Sequence, residues 1–392
     1  MGGSGFFIAL NEADIAMQGE RVVVWDLPTR LFHWLLAAAL LVEWLTQDDA
    51  RYLDFHVFCG YLIGGLIVFR LIWGFVGTRW ARFASFAFGP FAAVRYLRDL
   101  VRRRHARFVG HNPAGSWAIF ILLTLGALSV LSGVAALGGD KQQGPLRGVL
   151  TFAEGDALRE VHEVLAWTML VVVTLHILGV VASSLLEREN LPAAMIRGRK
   201  RAAESEQSVS LAANAAIAML IVSVGFAAWY FRGYFKTARD VPYLPFTGPA
   251  LAMDAQWQHE CGSCHLAFHP SLLPVRSWQA MLAQQDHFGE DLALDPAIVA
   301  ALSSYAGEHS AEHAETPTAW KIASRTPADS TPLRITDIAY WKRRHADVTE
   351  ADWQRVNKVD CGGCHLDADL GTFEPGAIHV GKTSGNTRKE GA

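Results

Sequence analysis

Five stretches of the chain are apolar for long enough to cross a bilayer as helices, which takes about 20 residues. They cover 28–46, 55–76, 116–137, 161–184 and 209–231. Asp26 stands where the first of them needs a cap, Pro28 falls in its first turn, and Trp25 and Trp44 mark its two ends as interfaces. This first stretch is the shortest and by itself would pass for a buried helix of a soluble protein; its four companions argue for a membrane. Beyond residue 231 the pattern changes. Pro242, Pro245, Pro249, Pro270 and Pro274 interrupt the chain, the helical stretches at 276–286 and 296–306 are short, and no strand alternation of any length appears. The expected fold is all-α: a transmembrane four-helix bundle, a fifth transmembrane anchor helix, and a small, mostly α, loop-rich domain.

Charge gives the spans a direction. Arg79, Arg82, Arg95, Arg98, Arg102, Arg103, Arg104 and Arg107 crowd the connection between spans two and three, where Asp99 is the one acid. Arg188, Arg197, Arg199, Lys200 and Arg201 follow span four. The connections at 46–54 and 139–160 are mixed in sign. The positive-inside bias therefore puts the N-terminus and the arginine-rich connections in the cytoplasm, and five crossings put residues 232–392 outside. Residues 1–20, with Glu12, Asp14 and Glu20, read as a cytoplasmic segment rather than a cleaved signal. The two parts differ in net charge, near +2 for residues 1–231 and near −5 for 232–392. Only 19% of residues are charged, and the basic connection lacks interleaved aromatics, so a nucleic-acid binder is excluded as a reading.

Four of the five cysteines fall in two copies of one pattern, Cys261-Gly-Ser-Cys264-His265 and Cys361-Gly-Gly-Cys364-His365. This is the attachment signature of a c-type haem, in which two thiols add across the porphyrin vinyl groups and the next histidine ligates the iron. A zinc site or a redox dithiol would make the following histidine an accident, twice. A six-coordinate haem c needs a second axial ligand, usually His or Met. The outer domain offers Met253 and Met281 against seven free histidines: His259, His269, His287, His309, His313, His345 and His379. Two histidines per iron is the expected arrangement; position in the sequence does not select the second one, although His259 and His269 lie awkwardly close to the first motif. Over 240–380 the chain resembles the bacterial dihaem cytochromes c of the DHC type. The resemblance is carried by Glu260 to His265, Leu273-Pro274-x-Arg276-Ser-Trp278, His287-Phe-Gly289, Leu333-x-Ile335-Thr336, Arg344-His345 and Cys361 to His365. It implies His287 and His345 as the distal ligands, without saying which serves which haem.

The spans carry histidines of their own, and an ionisable side chain inside a membrane suggests function by default. His33 lies near the inner end of span one, His56 near the outer end of span two, and His162 and His176 near the outer and inner ends of span four. His162 and His176 share one helix face about 21 Å apart in depth. The four thus form two pairs at two depths, His33 with His176 and His56 with His162, as two stacked haems in a four-helix bundle require. His105 and His111 fall in the basic connection and outside this pattern. Residues 20–190 resemble the bacterial cytochrome b561 family, which includes the b-type subunit of nickel-iron hydrogenases. Val24-Trp25-Asp26-Leu27-Pro28-x-Arg30-x-x-His33-Trp34, His56-x-x-x-Gly60-Tyr61, Arg70-Leu-Ile-Trp73-Gly74-Phe, Trp80-Ala-Arg82-Phe and the paired histidines of span four carry it. The resemblance implies two non-covalent haems b. Arg30 and Arg70 are candidates for binding their propionates, the alternative being arginines at an interface. Cys59 reads as a small buried residue of span two.

These readings divide the chain into a cytoplasmic segment (1–20), a b561-like membrane domain (21–190), a linker with the fifth span (191–240), a dihaem cytochrome c domain (241–380) and a tail (381–392). The expected protein is a multi-pass one of the bacterial inner membrane, with its haem c domain in the periplasm. Four haems on one chain predict electron transfer between quinone and a soluble periplasmic cytochrome or other redox protein, running from quinol outward. An acidic outer domain would favour a basic partner. An enzyme with an open-site haem c that reduces or activates a small molecule is the alternative, and a haem-based sensor a weaker one. Beyond quinone, the soluble partner and membrane lipid, no partner is implied.

Overall fold

The computed structural model describes residues 21–47, 52–102, 108–201, 207–237, 251, 253–374 and 377–378. The expectations for residues 1–20, His105, the segment from Val241 to Pro249, His379 and the tail fall outside them. The chain divides into two units, one made of Met1–Gln47, Phe55–Gly133 and Glu160–Tyr230, the other of Asp48–Asp54, Val134–Arg159 and Phe231–Ala392.

The first unit is built on α1 (Leu27–Thr46), α2 (Leu53–Val76), α3 (Pro90–Val101), α4 (Pro113–Asp140), α5 (Phe152–Glu187), α6 (Leu191–Arg197) and α7 (Ala213–Thr237). Asp26 caps α1 as expected: its carboxylate accepts the Thr29 N–H at 2.8 Å, and Pro28 occupies the first turn. The other carboxylate oxygen accepts from Trp73 Nε1 (3.0 Å) and Thr78 Oγ1 (2.7 Å), which ties the start of α1 to the end of α2. A two-stranded antiparallel ribbon of β1 (Arg21–Val23) and β2 (Arg199–Arg201) joins the same place to the segment after α5. Leu27 N–H donates to Leu211 O just before α7, and Lys200 Nζ donates to Phe108 O just before α4. One end of the bundle therefore gathers the starts of α1, α4 and α7 with the ends of α2 and α5, so these five helices alternate in direction.

Among the described residues, four helices are long and apolar enough to cross a membrane: Leu53–Val76, Pro113–Asp140, Phe152–Glu187 and Ala213–Arg232. The first expected span forms as the 20-residue α1 but falls short on composition, because Arg30, His33 and Glu43 interrupt its apolar run. Those three polar side chains are where the site lies. Along α2, α4, α5 and α7, Leu71, Phe75, Leu131, Val164, Val171, Leu175, Leu178, Ile221 and Val222 are exposed. This is far more contiguous apolar surface than a water-soluble face carries. The protein is a membrane protein.

In the second unit the far ends of α4 and α5 cross closely. A Cβ on Gly155 would lie 2.2 Å from the Gly139 carbonyl carbon, so only two glycines permit the approach. Here too are α8 (Ala255–Cys261), α9 (Val275–Gln284), the short ribbon of β3 (Asp286–His287) and β4 (Glu290–Asp291), α10 (Pro296–His309), α11 (Pro317–Arg325), α12 (Ala339–Arg344) and α13 (Glu350–Arg355). The expected helices at 276–286 and 296–306 appear as α9 and α10. Trp257, Leu273, Trp278, Leu302, Ala306 and Ile322 form the core. The two tryptophans meet edge to face at 5.2 Å, and their indole N–H groups donate to Phe268 O and Pro270 O, so neither buried donor is left without an acceptor. The connection between α4 and α5 packs on α11: Lys321 Nζ lies 2.9 Å from Asp140, and Phe152 stacks on Trp320.

Candidate functional site: four histidine pairs

Two imidazoles bound through nitrogen at about 2 Å on opposite sides of one iron have ring centroids about 6 Å apart. Among the described residues four histidine pairs sit at that separation, and three of them join span or motif histidines; the fourth, His269 with His309 at 6.2 Å and 61°, involves neither. His56 of α2 and His162 of α5 have centroids 6.2 Å apart, with ring planes at 82°. His265 and His287 are at 5.9 Å and 31°, and His345 and His365 at 6.1 Å and 67°. The fold thus brings together the outer pair expected of the spans. In the second unit it sets the His287 ring across from His265 of the first Cys-x-x-Cys-His motif and the His345 ring across from His365 of the second. His33 of α1 lies within electrostatic reach of His176 of α5. α5 runs unbroken from Phe152 to Glu187, which keeps His162 and His176 on one face about 21 Å apart.

The other ring nitrogen decides which nitrogen can meet a metal. His162 Nδ1 donates to the Ser129 carbonyl at 2.9 Å, with Ser132 Oγ at 3.3 Å. His265 Nδ1 donates to Leu266 O at 2.8 Å and His345 Nδ1 to Trp341 O at 2.9 Å. In each, the tautomer is fixed and Nε2 is left with its lone pair. Burial holds His287, His345 and His365 below the ordinary histidine range, and His265 beside His287 adds to the effect there. Neutral imidazole is the form that ligates iron.

His56 has a different neighbour. Its Nδ1 lies 2.6 Å from Glu43 Oε2 of α1, an ion-pair contact slightly off the line of the N–H. Glycines make room for the His162 ring and for the carboxylate beside His56: a Cβ on Gly133 would come within 3.0 Å of the His162 ring, and one on Gly60 within 3.3 Å of Glu43 Oε1. Sequence reasoning passed over Glu43, although a carboxylate inside an apolar span was the signal that could have found it.

Cys261 ends α8, a helix capped by Asp254, and Cys361 opens a single 3-10 turn capped by Asp360. None of the four motif cysteines is in a disulfide among the described residues. Burial, with Glu260 or Asp360 nearby, pushes the Cys261 and Cys361 thiols up to about 11. Among the described residues, four further histidines of this domain lie away from the motif histidines, two of them, His269 and His309, with ring centroids 6.2 Å apart. His269 is buried in the core, its Nδ1 accepting the Ser271 N–H; His309 packs on Tyr305; His313 pairs with Ser310; and His259 is exposed beside Glu260.

At the gathered end of the bundle, Arg70 is 3% exposed and lies over the Phe83 ring at 4.8 Å, with Nη1 unpartnered. Arg30 donates through Nη2 to Ile196 O, leaving its Nε buried without a partner. His33 Nδ1 is unpartnered as well. Buried donors of this kind cost about 1–3 kcal/mol each unless something accepts from them. The carboxylates of a haem would do so, and both arginines carry the planar forks that suit them. His111, expected as a loop residue outside the pattern, is packed between Trp25 (4.7 Å) and Phe86 (4.3 Å). Burial and the charges of Arg70 and Lys200 push it down to about 3.

Residues 24–198 match the family described as prokaryotic cytochrome b561, and residues 257–373 the family described as dihaem cytochrome c. The probable Ni/Fe-hydrogenase B-type cytochrome subunit of Rhizobium leguminosarum bv. viciae is 25% identical over 219 residues, 47% of this chain and 91% of that protein. A protein of the same description from Escherichia coli K12, the hydrogenase 1 subunit, is 25% identical over 158 residues, 33% of this chain and 67% of its own length. Among solved structures, the dihaem cytochrome c of Rhodobacter sphaeroides is 33% identical, with 32% of this chain and 100% of that one covered and a TM-score of 0.29. That of Shewanella baltica OS155 is 29% identical, covering 32% and 91%, with a TM-score of 0.26.

Proposed function

Since the chain belongs to the prokaryotic cytochrome b561 family through its membrane part and to the dihaem cytochromes c through its outer part, we propose that it is a tetrahaem conduit between quinone and a soluble redox partner. Electron transfer of the cytochrome b561 type, joined to a dihaem cytochrome c domain, follows from the families themselves. The finer reading assigns two haems b and two haems c. His33 with His176 and His56 with His162 would hold the haems b, with Arg30 and Arg70 on propionates. His265 with His287 and His365 with His345 would hold the haems c, attached through Cys261, Cys264, Cys361 and Cys364. Bound haem supplies one-electron iron chemistry.

The chain's own residues do the rest. They offer neutral imidazole nitrogens in opposed pairs, fix tautomers through backbone carbonyls, and, by pairing each motif histidine with a second one, leave no site for a substrate on iron. The observation that carries the reading is that each motif histidine has a second histidine ring across from it, at 5.9 and 6.1 Å, and that the span histidines His56 and His162 stand at 6.2 Å. It argues for carriage of electrons over catalysis at an open haem c. The proposed setting is the bacterial inner membrane, with the N-terminus cytoplasmic and the dihaem domain periplasmic. α1 counts as a crossing because Glu43 pairs with His56 of α2 inside the bundle, while Arg30 donates to Ile196 O at the gathered end. Quinol is the proposed donor and a basic periplasmic protein the proposed acceptor. Pyridine haemochrome analysis of acid-acetone extracts should find haem b and haem c in equal amounts. Stopped-flow mixing with a quinol analogue should then reduce haem c faster than in a His162→Ala, His176→Ala protein; equal rates would reject quinol as the donor.

A further inference from the structure

Among the six histidines of the three proposed ligand pairs, His56 is the one with a carboxylate in ion-pair contact among the described residues. Its partner across the 6.2 Å gap, His162, has a neutral carbonyl and a hydroxyl beside its Nδ1. Glu43 Oε2 stands 2.6 Å from His56 Nδ1, and both side chains are largely enclosed, at 17% and 26% exposure. Gly60, one turn along α2 from His56, leaves Glu43 Oε1 its space. A carboxylate behind a ligating histidine orients the ring and makes it a more basic, more electron-donating ligand. An anion enclosed near an iron also favours Fe(III) over Fe(II), strongly so where water is scarce.

We propose that Glu43 is a positioning residue for the outer haem b, holding His56 in place and lowering the reduction potential of that haem relative to what a neutral residue would give. The proposal rests on the assignment of His56 and His162 to one haem b. By facing the metal with a more anionic ligand set at one depth than at the other, the chain would set the order in which its two haems b fill with electrons.

The test is potentiometric titration and EPR of the full-length holoprotein in nanodiscs. Glu43→Gln, nearly isosteric and neutral, is expected to raise the midpoint of one haem b. A tenfold change in its reduction equilibrium is about 59 mV for a one-electron couple. It should also move the low-spin g-values of that haem alone, leaving the other haem b and both haems c unchanged. Two retained haems b with unmoved midpoints and g-values would overturn the proposal, as would a shift in a different haem. If Glu43→Gln loses the outer haem, Gly60→Ala decides, since it keeps the carboxylate but crowds it. The same haem should shift in Gly60→Ala, and an unmoved midpoint there would be equally fatal. His56→Ala separates this from failure of the ligand assignment: retention of both low-spin haems b in that variant would reject the assignment itself.

Discussion

Gly133→Ala should loosen one haem b and leave the other untouched. A Cβ at this position of α4 would stand 3.0 Å from His162 Cε1 and 3.1 Å from Nδ1, closer than carbon atoms in ordinary contact, so the ring has to retreat by a few tenths of an ångström. Retreat pulls Nδ1 away from the Ser129 carbonyl it now meets at 2.9 Å, and takes Nε2 out of line with His56. Crowding of this kind costs about 1–3 kcal/mol. The strained or broken hydrogen bond adds about 1 kcal/mol, and the better helix propensity of alanine returns about 1 kcal/mol. A net 1–3 kcal/mol corresponds to roughly 5- to 150-fold weaker retention of haem, in line with the 10- to 100-fold typical of changes behind a metal ligand. The assay is the rate of haem b loss from nanodisc-embedded protein to apomyoglobin, with the covalent haems c as internal standard. Gly179→Ala is the control. It lies on α5, the helix that carries His162, and its Cβ would meet no atom within 4 Å. Equal haem loss from the two variants, or no loss from Gly133→Ala, would refute the reasoning.

His287→Ala and His345→Ala should each turn a different haem c high-spin, the first that of the Cys261–His265 motif and the second that of Cys361–His365; EPR of the two variants checks this, and the same haem changing in both would break the pairing. Gly155→Ala, which drives a Cβ to 2.0 Å from the Asp140 N–H nitrogen, should separate the ends of α4 and α5 and lower the thermal midpoint by more than Gly179→Ala does. Glu374, 8% exposed, is pushed up to about 7 chiefly by burial, with Asp367 contributing and Lys141 opposing. Its folded value exceeds its unfolded one, so its contribution to stability is complete below about pH 4.5 and is lost as pH rises through 7, in all roughly 3 kcal/mol. Thermal unfolding from pH 5 to 8 should therefore decline less steeply in Glu374→Gln, and parallel profiles would count against it.

Much of this was legible in the sequence because the chemistry is periodic or contiguous. The spans announce themselves by apolar length, the haem c motifs by five adjacent residues, and the His162–His176 spacing by helix arithmetic. What was not legible depends on which elements become neighbours. His287 follows α9 and ends up opposite His265, and His345 closes α12 opposite His365. No local rule couples those positions, and the resemblance to dihaem cytochromes c named the residues without their partners. Glu43 was hidden differently. It looked like an interruption of α1, and only the packing of α1 on α2 turns it toward His56. His111 was set aside because its neighbours in sequence are basic, whereas its neighbours in space are Trp25 and Phe86.

The three proposed ligand pairs, His56 with His162, His265 with His287 and His365 with His345, are built by unlike means, and that bears on what the fold maintains. His56 and His162 project from two long parallel helices, so their separation follows from helix packing. His287 sits in a two-residue strand facing a motif histidine that follows a helix end, and His345 stands at the end of a six-residue helix. Nothing in backbone geometry makes these three settings converge on one spacing. What they share is a rigid support behind the ring: Ser129 O for His162, Leu266 O for His265, and Trp341 O for His345. Each pair thus has at least one imidazole whose free nitrogen is aimed before any metal arrives, which lowers the ordering cost of ligation. His56 is supported by a charge where His162, His265 and His345 have a carbonyl. A fold that needed only to hold ring positions could have used a carbonyl there too, so the carboxylate points to a requirement on the electronics of that pair and not on its geometry alone.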